Sequence, residues 1–237
     1  MITGCNVAYT KVRIPAEGVR LSEGYAVIRS FELRCVLSAI LIRTATLITL
    51  RSMPTHCLLL QTPRLDLVAA TLDHVEAELN DRAALESLLG VPIPEDWPPG
   101  EYDRNAQEFF LSQLVSSGGS SIIGWLNWYA VARNPSGLRE ALVACAGFLG
   151  PPKNGTVEIG YSVVPAARGC GYATEIVNAL VAHALTHQDV RAVVAHTSDA
   201  NAASTRVLLR CGFSRVGLGL EPGSVEYRTQ RRRHALQ

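Results

Sequence analysis

Residues 156–185 read TVEIGYSVVPAARGCGYATEIVNALVAHAL, and the period of the pattern changes abruptly inside them. As far as Val164 the side chains alternate. Val157, Ile159, Tyr161 and Val163 share one face, and Glu158, Gly160, Ser162 and Val164 the other, which is strand spacing. Pro165 ends the run. From Gly171 onward the apolar positions are Ile176, Val177, Leu180, Val181, Ala184 and Leu185, which form one helical stripe. A strand that feeds a helix over so short a span calls for a mixed architecture. The joint is Arg168-Gly169-Cys170-Gly171-Tyr172-Ala173. The first N–H groups of a helix lack internal partners, and the helix dipole adds partial positive charge there. Bare glycine backbone lets a phosphate approach, and an arginine adds charge-assisted hydrogen bonds.

Two familiar phosphate loops fit poorly. A dinucleotide fold wants G-x-G-x-x-G; Gly169 and Gly171 match, but Thr174 stands in the third position. A P-loop wants a lysine after its last glycine, and none follows. The pattern R-x-x-G-x-A (Arg168, Gly171, Ala173), between a strand and a helix, resembles the acetyl-CoA pyrophosphate loop of the GNAT superfamily of N-acetyltransferases. The strand VRAVVAHTS and the segment NAASTRVLLRCGFSRVG follow in that family's order. The N-x-x-S…G-F ending is similar to the branch of ribosomal-protein N-terminal acetyltransferases, and LQTPRLDL resembles that branch's opening strand. The resemblance spans residues 58–230.

The remaining pattern agrees with one α/β (α+β) domain. A first strand is expected within 58–70, then a helix over TLDHVEAELNDRAALESLLG, stopped by Gly90. A proline-rich loop and a second helix follow. SIIGWLNWYAVA and EALVACAGFLG read as two hairpin-like strands ahead of the central unit, and FSRVGLGL and SVEYRTQ close the domain as strands. The resemblance implies a mixed, mostly antiparallel sheet flanked by helices, with a splayed strand pair at the cofactor site.

Composition narrows the class. The chain has 237 residues, 48% of them apolar, enough for a packed core. A net charge of +1 asks for neither nucleic acid nor a membrane surface. Six scattered cysteines form no C-x-x-C pair, so reduced thiols, a cytoplasmic setting and no metal are expected. Residues 1–57 read as an N-terminal extension, dispensable to the fold. Their apolar run CVLSAILIRTATLITL carries Arg43 at its middle, which suits neither a membrane span nor a signal peptide, and Met53 resembles a natural start. Residues 231–237 read as a solvated basic tail.

The resemblance also implies roles. Acetyl-CoA is the acyl donor. The backbone from Tyr161 through Val163 to Val164 lies beside the pantetheine arm. Arg168 and the loop of Gly169, Cys170, Gly171, Tyr172 and Ala173 hold the pyrophosphate. Asn201 and Ser204 open the next helix and face the thioester end, and Asn201 also suits a helix cap. An amine must lose a proton before it attacks, and Glu158, on the strand leading to the cofactor, is the candidate base. A backbone N–H at Val163 or Val164 would receive the oxyanion. Many family members place a tyrosine acid seven residues after the asparagine; here Leu208 stands there, and Ser204 is the substitute. His196 reads as a strand residue with a satisfied ring. Trp97, Trp125, Trp128 and Tyr129 are candidates to line the acceptor side, with Trp125 and Trp128 not on the same face of one strand. Glu95, Asp96, Glu101 and Asp103 read as solvated loop acids. The acceptor is an amine on a small molecule or a protein N-terminus, and the chain a monomer or homodimer. The alternative is an acyl-CoA-binding sensor of the same fold without turnover.

Overall fold

Among the described residues, eight strands and five α-helices are laid down in the order β-β-α-α-α-β-β-β-α-β-α-β-β. The computed structural model describes residues 58–118, 121–219 and 221–230. The expected extension (1–57), with its apolar run and Cys5, Cys35 and Cys57, and the expected tail (231–237) lie outside the described residues.

The strands are β1 (Leu59–Gln61), β2 (Leu65–Ala69), β3 (Asn127–Arg133), β4 (Arg139–Phe148), β5 (Thr156–Val163), β6 (Ala192–Ser198), β7 (Ser214–Leu218) and β8 (Ser224–Gln230). They form one sheet ordered β1-β2-β3-β4-β5-β6-β8-β7. Every neighbouring pair is antiparallel except β5 and β6. Those two are parallel because α4 (Tyr172–Thr186) crosses over between them.

Strand alternation divides the core. Trp128, Ala130 and Ala132 of β3, with Val157, Ile159, Tyr161 and Val163 of β5, face α4 and α5 (Ala202–Arg210). Tyr129 and Val131 of β3, with Leu142 and Cys145 of β4, face α1 (Leu72–Asn80), α2 (Arg82–Leu89) and α3 (Arg104–Ser116). Among the described residues, no helix is long and apolar enough to cross a membrane.

Local chemistry moved several expected boundaries. The single opening strand is a hairpin. Pro63 has no N–H to give to a ladder, and the turn closes as Thr62 N–H donates to Leu65 O at 2.9 Å. The first expected helix is two helices, because Asp81 leaves helical geometry and caps α2 through Oδ1, which accepts from Ala84 N–H at 3.1 Å. The strand expected from Ser121 begins only at Asn127. Ahead of it Trp125 N–H closes a turn onto Ile122 O, and Gly124 sits at φ +91°.

Candidate active site

β5 and β6 pair only over Thr156–Glu158 and Ala192–Val194 and then part. Leu149 N–H donates to Glu158 O at 3.1 Å, and Val164 N–H donates to Val143 O at 3.0 Å. The even-numbered residues of β5 therefore direct their backbone groups to β4. Ile159, Tyr161 and Val163 direct theirs to the side that β6 has left. Val164 N–H is thus committed to β4, which leaves Val163 as the expected oxyanion donor of the two. Both helices that follow the parting strands, α4 and α5, start at this end of the sheet.

The loop between β5 and α4 joins a 3₁₀ turn to a helix through two glycines. A short 3₁₀ turn (Pro165–Ala167) leads to Arg168, and Gly169 (φ +79°) and Gly171 (φ +83°) take the left-handed conformation that favours glycine. The other helices start on side chains able to cap: Thr71, Asp81, Asp103 and Asn201. α4 starts on Gly171, and no side chain caps it. Among the described residues no side chain therefore accepts from its first N–H groups as a cap. Arg168 lies alongside, its Nε donating to Val163 O at 3.1 Å.

One support of this loop was absent from the sequence reading. Arg64, in the β1–β2 turn, donates through Nη1 to Cys170 O at 2.9 Å and through Nε to Glu175 Oε2 at 2.8 Å. Its guanidinium stacks over Tyr172, 4.6 Å from the ring centroid. Glu175, in the first turns of α4, also accepts from Thr62 Oγ1 at 2.6 Å and Arg64 N–H at 2.9 Å. Burial pushes the Glu175 carboxyl up, but the hydrogen bonds from Thr62 and Arg64 outweigh it and hold the group below its ordinary range. The stabilisation from a depressed carboxyl is present above the unfolded value of ~4.3 and fades as pH falls through the lower folded value. Glu175→Gln is therefore expected to flatten the acid limb of a stability–pH curve below about pH 4.3, read by thermal melts. Arg64 is half-exposed, so Arg64→Ala should cost only about 1 kcal/mol of stability. It should also weaken acetyl-CoA binding a few-fold, to about 3- to 10-fold, as the loop loses its brace.

On the other side of the parting, Asn201 caps α5, its Oδ1 accepting from Ser204 N–H at 3.1 Å. Ser204 is buried, and its Oγ lies 3.0 Å from the Tyr161 hydroxyl. Tyr161 thus reaches from β5 to the start of α5. Leu208 is fully buried in the core beneath them.

Glu158 points to the face opposite α4 and α5. Its Oε1 lies 2.8 Å from His196 Nδ1, and Glu226 Oε2 lies 3.8 Å from His196 Nε2. His196 is not the fully satisfied strand residue expected. Nε2 is buried with no hydrogen-bond partner among the described residues.

The α1–α3 face closes over the same stretch of β5. Ser162 Oγ donates to Pro99 O at 2.8 Å. A Cβ on Gly100 would lie 2.7 Å from that Oγ, so only glycine lets the loop come so near. Behind the loop Glu78 accepts from Trp97 Nε1, Tyr102 OH and Tyr129 OH, each at 2.7 Å. Burial raises the Glu78 carboxyl, against the pull of those donors. A cavity of about 380 Å³ adjoins it, lined among others by Glu78, Trp97, Gly100 and Gln107. Trp97 and Tyr129 are on this face. Trp125 and Trp128 are not: both meet His183 of α4, at ring distances of 6.3 and 5.6 Å. The reasoning from strand alternation failed because Trp125 lies ahead of the strand, in the turn. Glu95, Asp96, Glu101 and Asp103 are exposed, and Asp103 caps α3. The acid behind this loop is the half-buried Glu78, which the sequence hides in an ordinary helical pattern.

Comparison with known proteins gives a family match and several similar proteins. The family description "Acetyltransferase (GNAT) domain" matches residues 64–214. The chain is 29% identical over 157 residues to the uncharacterized N-acetyltransferase YjdG of Bacillus subtilis (strain 168), covering 65% of this chain and 89% of that one. A putative ribosomal-protein-serine acetyltransferase from Vibrio cholerae aligns with a TM-score of 0.49 at 18% identity, over 73% of this chain and 98% of that one. An acetyltransferase from Agrobacterium tumefaciens str. C58 aligns with a TM-score of 0.49 at 19% identity, over 76% and 98%. With the domain matched from the opening hairpin to β7, the chain belongs to the GNAT family of N-acetyltransferases.

Proposed function

We propose that the chain transfers an acetyl group from acetyl-CoA directly to a primary amine, with both substrates bound at once. The observation that carries this reading is the parting of β5 from β6 after Glu158 and Val194, at the end where α4 and α5 begin. Acetyl-CoA bound there supplies an activated thioester. Its pantetheine arm lies along Tyr161 to Val164 in the manner of an added strand. Arg168 and the backbone of Gly169, Cys170, Gly171, Tyr172 and Ala173 hold the pyrophosphate. Asn201 and Ser204 flank the arm from α5.

Glu158 removes the proton of the incoming ammonium, and the nitrogen attacks the thioester carbonyl. An α-amine (~8) needs less help near neutral pH than a lysine amine (~10.4). The Val163 N–H faces the developing oxyanion. Ser204, paired with the Tyr161 hydroxyl, is positioned to protonate the departing thiolate. A cysteine acyl-enzyme finds little support. Cys145 is buried, and burial pushes the Cys211 thiol up to about 11. Cys170 is exposed, and the loop around it is assigned here to the pyrophosphate.

The test is calorimetry with acetyl-CoA, paired with thiol release in the presence of a panel of primary amines on peptides and small molecules. Micromolar binding is expected for the full chain. Arg168→Glu is expected to weaken it by about 100-fold, because a charge-assisted contact worth ~1.5–3 kcal/mol is replaced by repulsion. The same variant should retain turnover of the acetyl thioester of N-acetylcysteamine, which has no pyrophosphate. Absence of acetyl-CoA binding by the folded chain would sink the reading.

A further inference from the structure

Past Val194, β6 places its next side chain on the Glu158 face, and that side chain is His196. The Glu158–Val194 row is the last that β5 and β6 share, so the ring stands just beyond the point of parting. Its Nδ1 meets Glu158 Oε1 at 2.8 Å. Glu226, its direct partner across the β6–β8 pair, holds Oε2 3.8 Å from Nε2. Side-chain exposure falls from 22% at Glu158 to 7% at His196. The carboxylate meets the opening and the ring stands behind it.

The charged groups facing the ring are Glu158 from β5 and Glu226 from β8. Arg228 follows two residues along β8, opposite Val194 on the same face. A neutral ring that donates Nδ1–H to Glu158 turns a lone pair toward Glu226, whereas a protonated ring turns an N–H there. The hydrogen bond to Glu158 comes first among the causes that raise this imidazole above its ordinary 6.5, with burial opposing and both carboxylates adding to the rise. As a cation the ring stabilises ionised Glu158 and makes it a weaker proton acceptor. As a neutral donor it keeps the carboxylate oriented and lifts that restraint.

We propose that His196 is a positioning residue for the proton transfer: it fixes Glu158 at the opening through Nδ1, and its own charge sets how readily Glu158 takes a proton from the incoming ammonium. The inference rests on the reading of Glu158 as the base. In the step itself an ammonium N–H bond breaks, its electron pair stays on nitrogen, and the proton rests on the Glu158 carboxylate. The nitrogen then forms the bond to the carbonyl carbon and gives up a second proton, the C–S bond breaks, and sulfur leaves with its electron pair and takes up that proton by way of Ser204. The ring exchanges its own proton separately and lies outside that balance.

The experiment uses the full chain, acetyl-CoA and the amine panel, with thiol release followed from about pH 5.5 to 9. His196→Asn retains an N–H near the position of Nδ1 and does not titrate; His196→Leu removes both properties. With one amine, the ratio of wild-type to His196→Asn kcat cancels the ionisation of the amine itself. That ratio is expected near one above the titration of the ring, falling about threefold or more below it. His196→Leu should lose about tenfold or more in kcat at every pH, with acetyl-CoA affinity unchanged in both variants. A ratio flat with pH, or wild-type kcat in His196→Leu, overturns the role of His196 and leaves the base intact. Acetyl-CoA binding with no amine turned over by the wild type overturns the base, and this inference with it. Should neither variant fold, imidazole NMR of the wild type against Glu158→Gln decides. A midpoint that drops in Glu158→Gln supports the coupling, and an unmoved midpoint overturns it.

Discussion

Glu78→Ala is expected to lower the stability of the domain by about 3–5 kcal/mol. Glu78 Oε1 accepts from the Trp97 indole, and Oε2 accepts from the hydroxyls of Tyr102 and Tyr129. Both tyrosines are fully buried, and burial with the neighbouring carboxylate pushes their hydroxyls well above the usual range, so they remain protonated donors. Truncation leaves those donors without their acceptor, at ~1–3 kcal/mol each, and water entering from the adjoining cavity recovers part of the loss. For a domain of this size the melting temperature should fall by roughly 10 °C. Glu76→Ala, exposed on the same helix, should stay within about 0.5 kcal/mol. Equal melts for the two variants would refute the role of Glu78. The consequence extends to the site, since Trp97 and Tyr102 bracket Pro99, whose carbonyl holds Ser162 of β5.

Glu158→Gln should reduce kcat by about 10²- to 10³-fold at neutral pH while leaving acetyl-CoA affinity unchanged. The isosteric amide still occupies the place beside His196 but cannot take a proton. The deficit should shrink as pH approaches the pKa of the amine, because more of the substrate then arrives already deprotonated. A uniform loss across pH, or a matching loss of acetyl-CoA binding, would make Glu158 a structural residue instead.

The features that were legible in the sequence are local ones. The β5–loop–α4 unit needs only period 2, a proline, two glycines and period 3.6, all within contiguous residues. The structure shows the strand, the loop and the helix in that order, and adds that Gly169 and Gly171 are left-handed. The cap by Asn201 is equally local. What failed were competitions between similar local signals. A continuous helical stripe from Val75 to Leu89 concealed the break at Asp81, whose capping strength depends on its own backbone angles. Trp125 read as part of the strand because apolar character says nothing about where a ladder begins.

The contacts between distant segments were not legible. Arg64 and Glu175 are separated by 111 positions, and no spacing rule joins them. Glu158, His196 and Glu226 look like three unremarkable strand residues until the crossover through α4 sets β6 beside β5 and the β6–β8 pairing sets Glu226 opposite the ring. By itself the sequence determined the mixed fold, the strand–loop–helix unit and the family. Only the tertiary structure decided what braces the loop, what backs Glu158 and which face is closed by Glu78. Periodicity and backbone preference act over a few residues, while a buried charge finds its partners only when the sheet brings separate strands together.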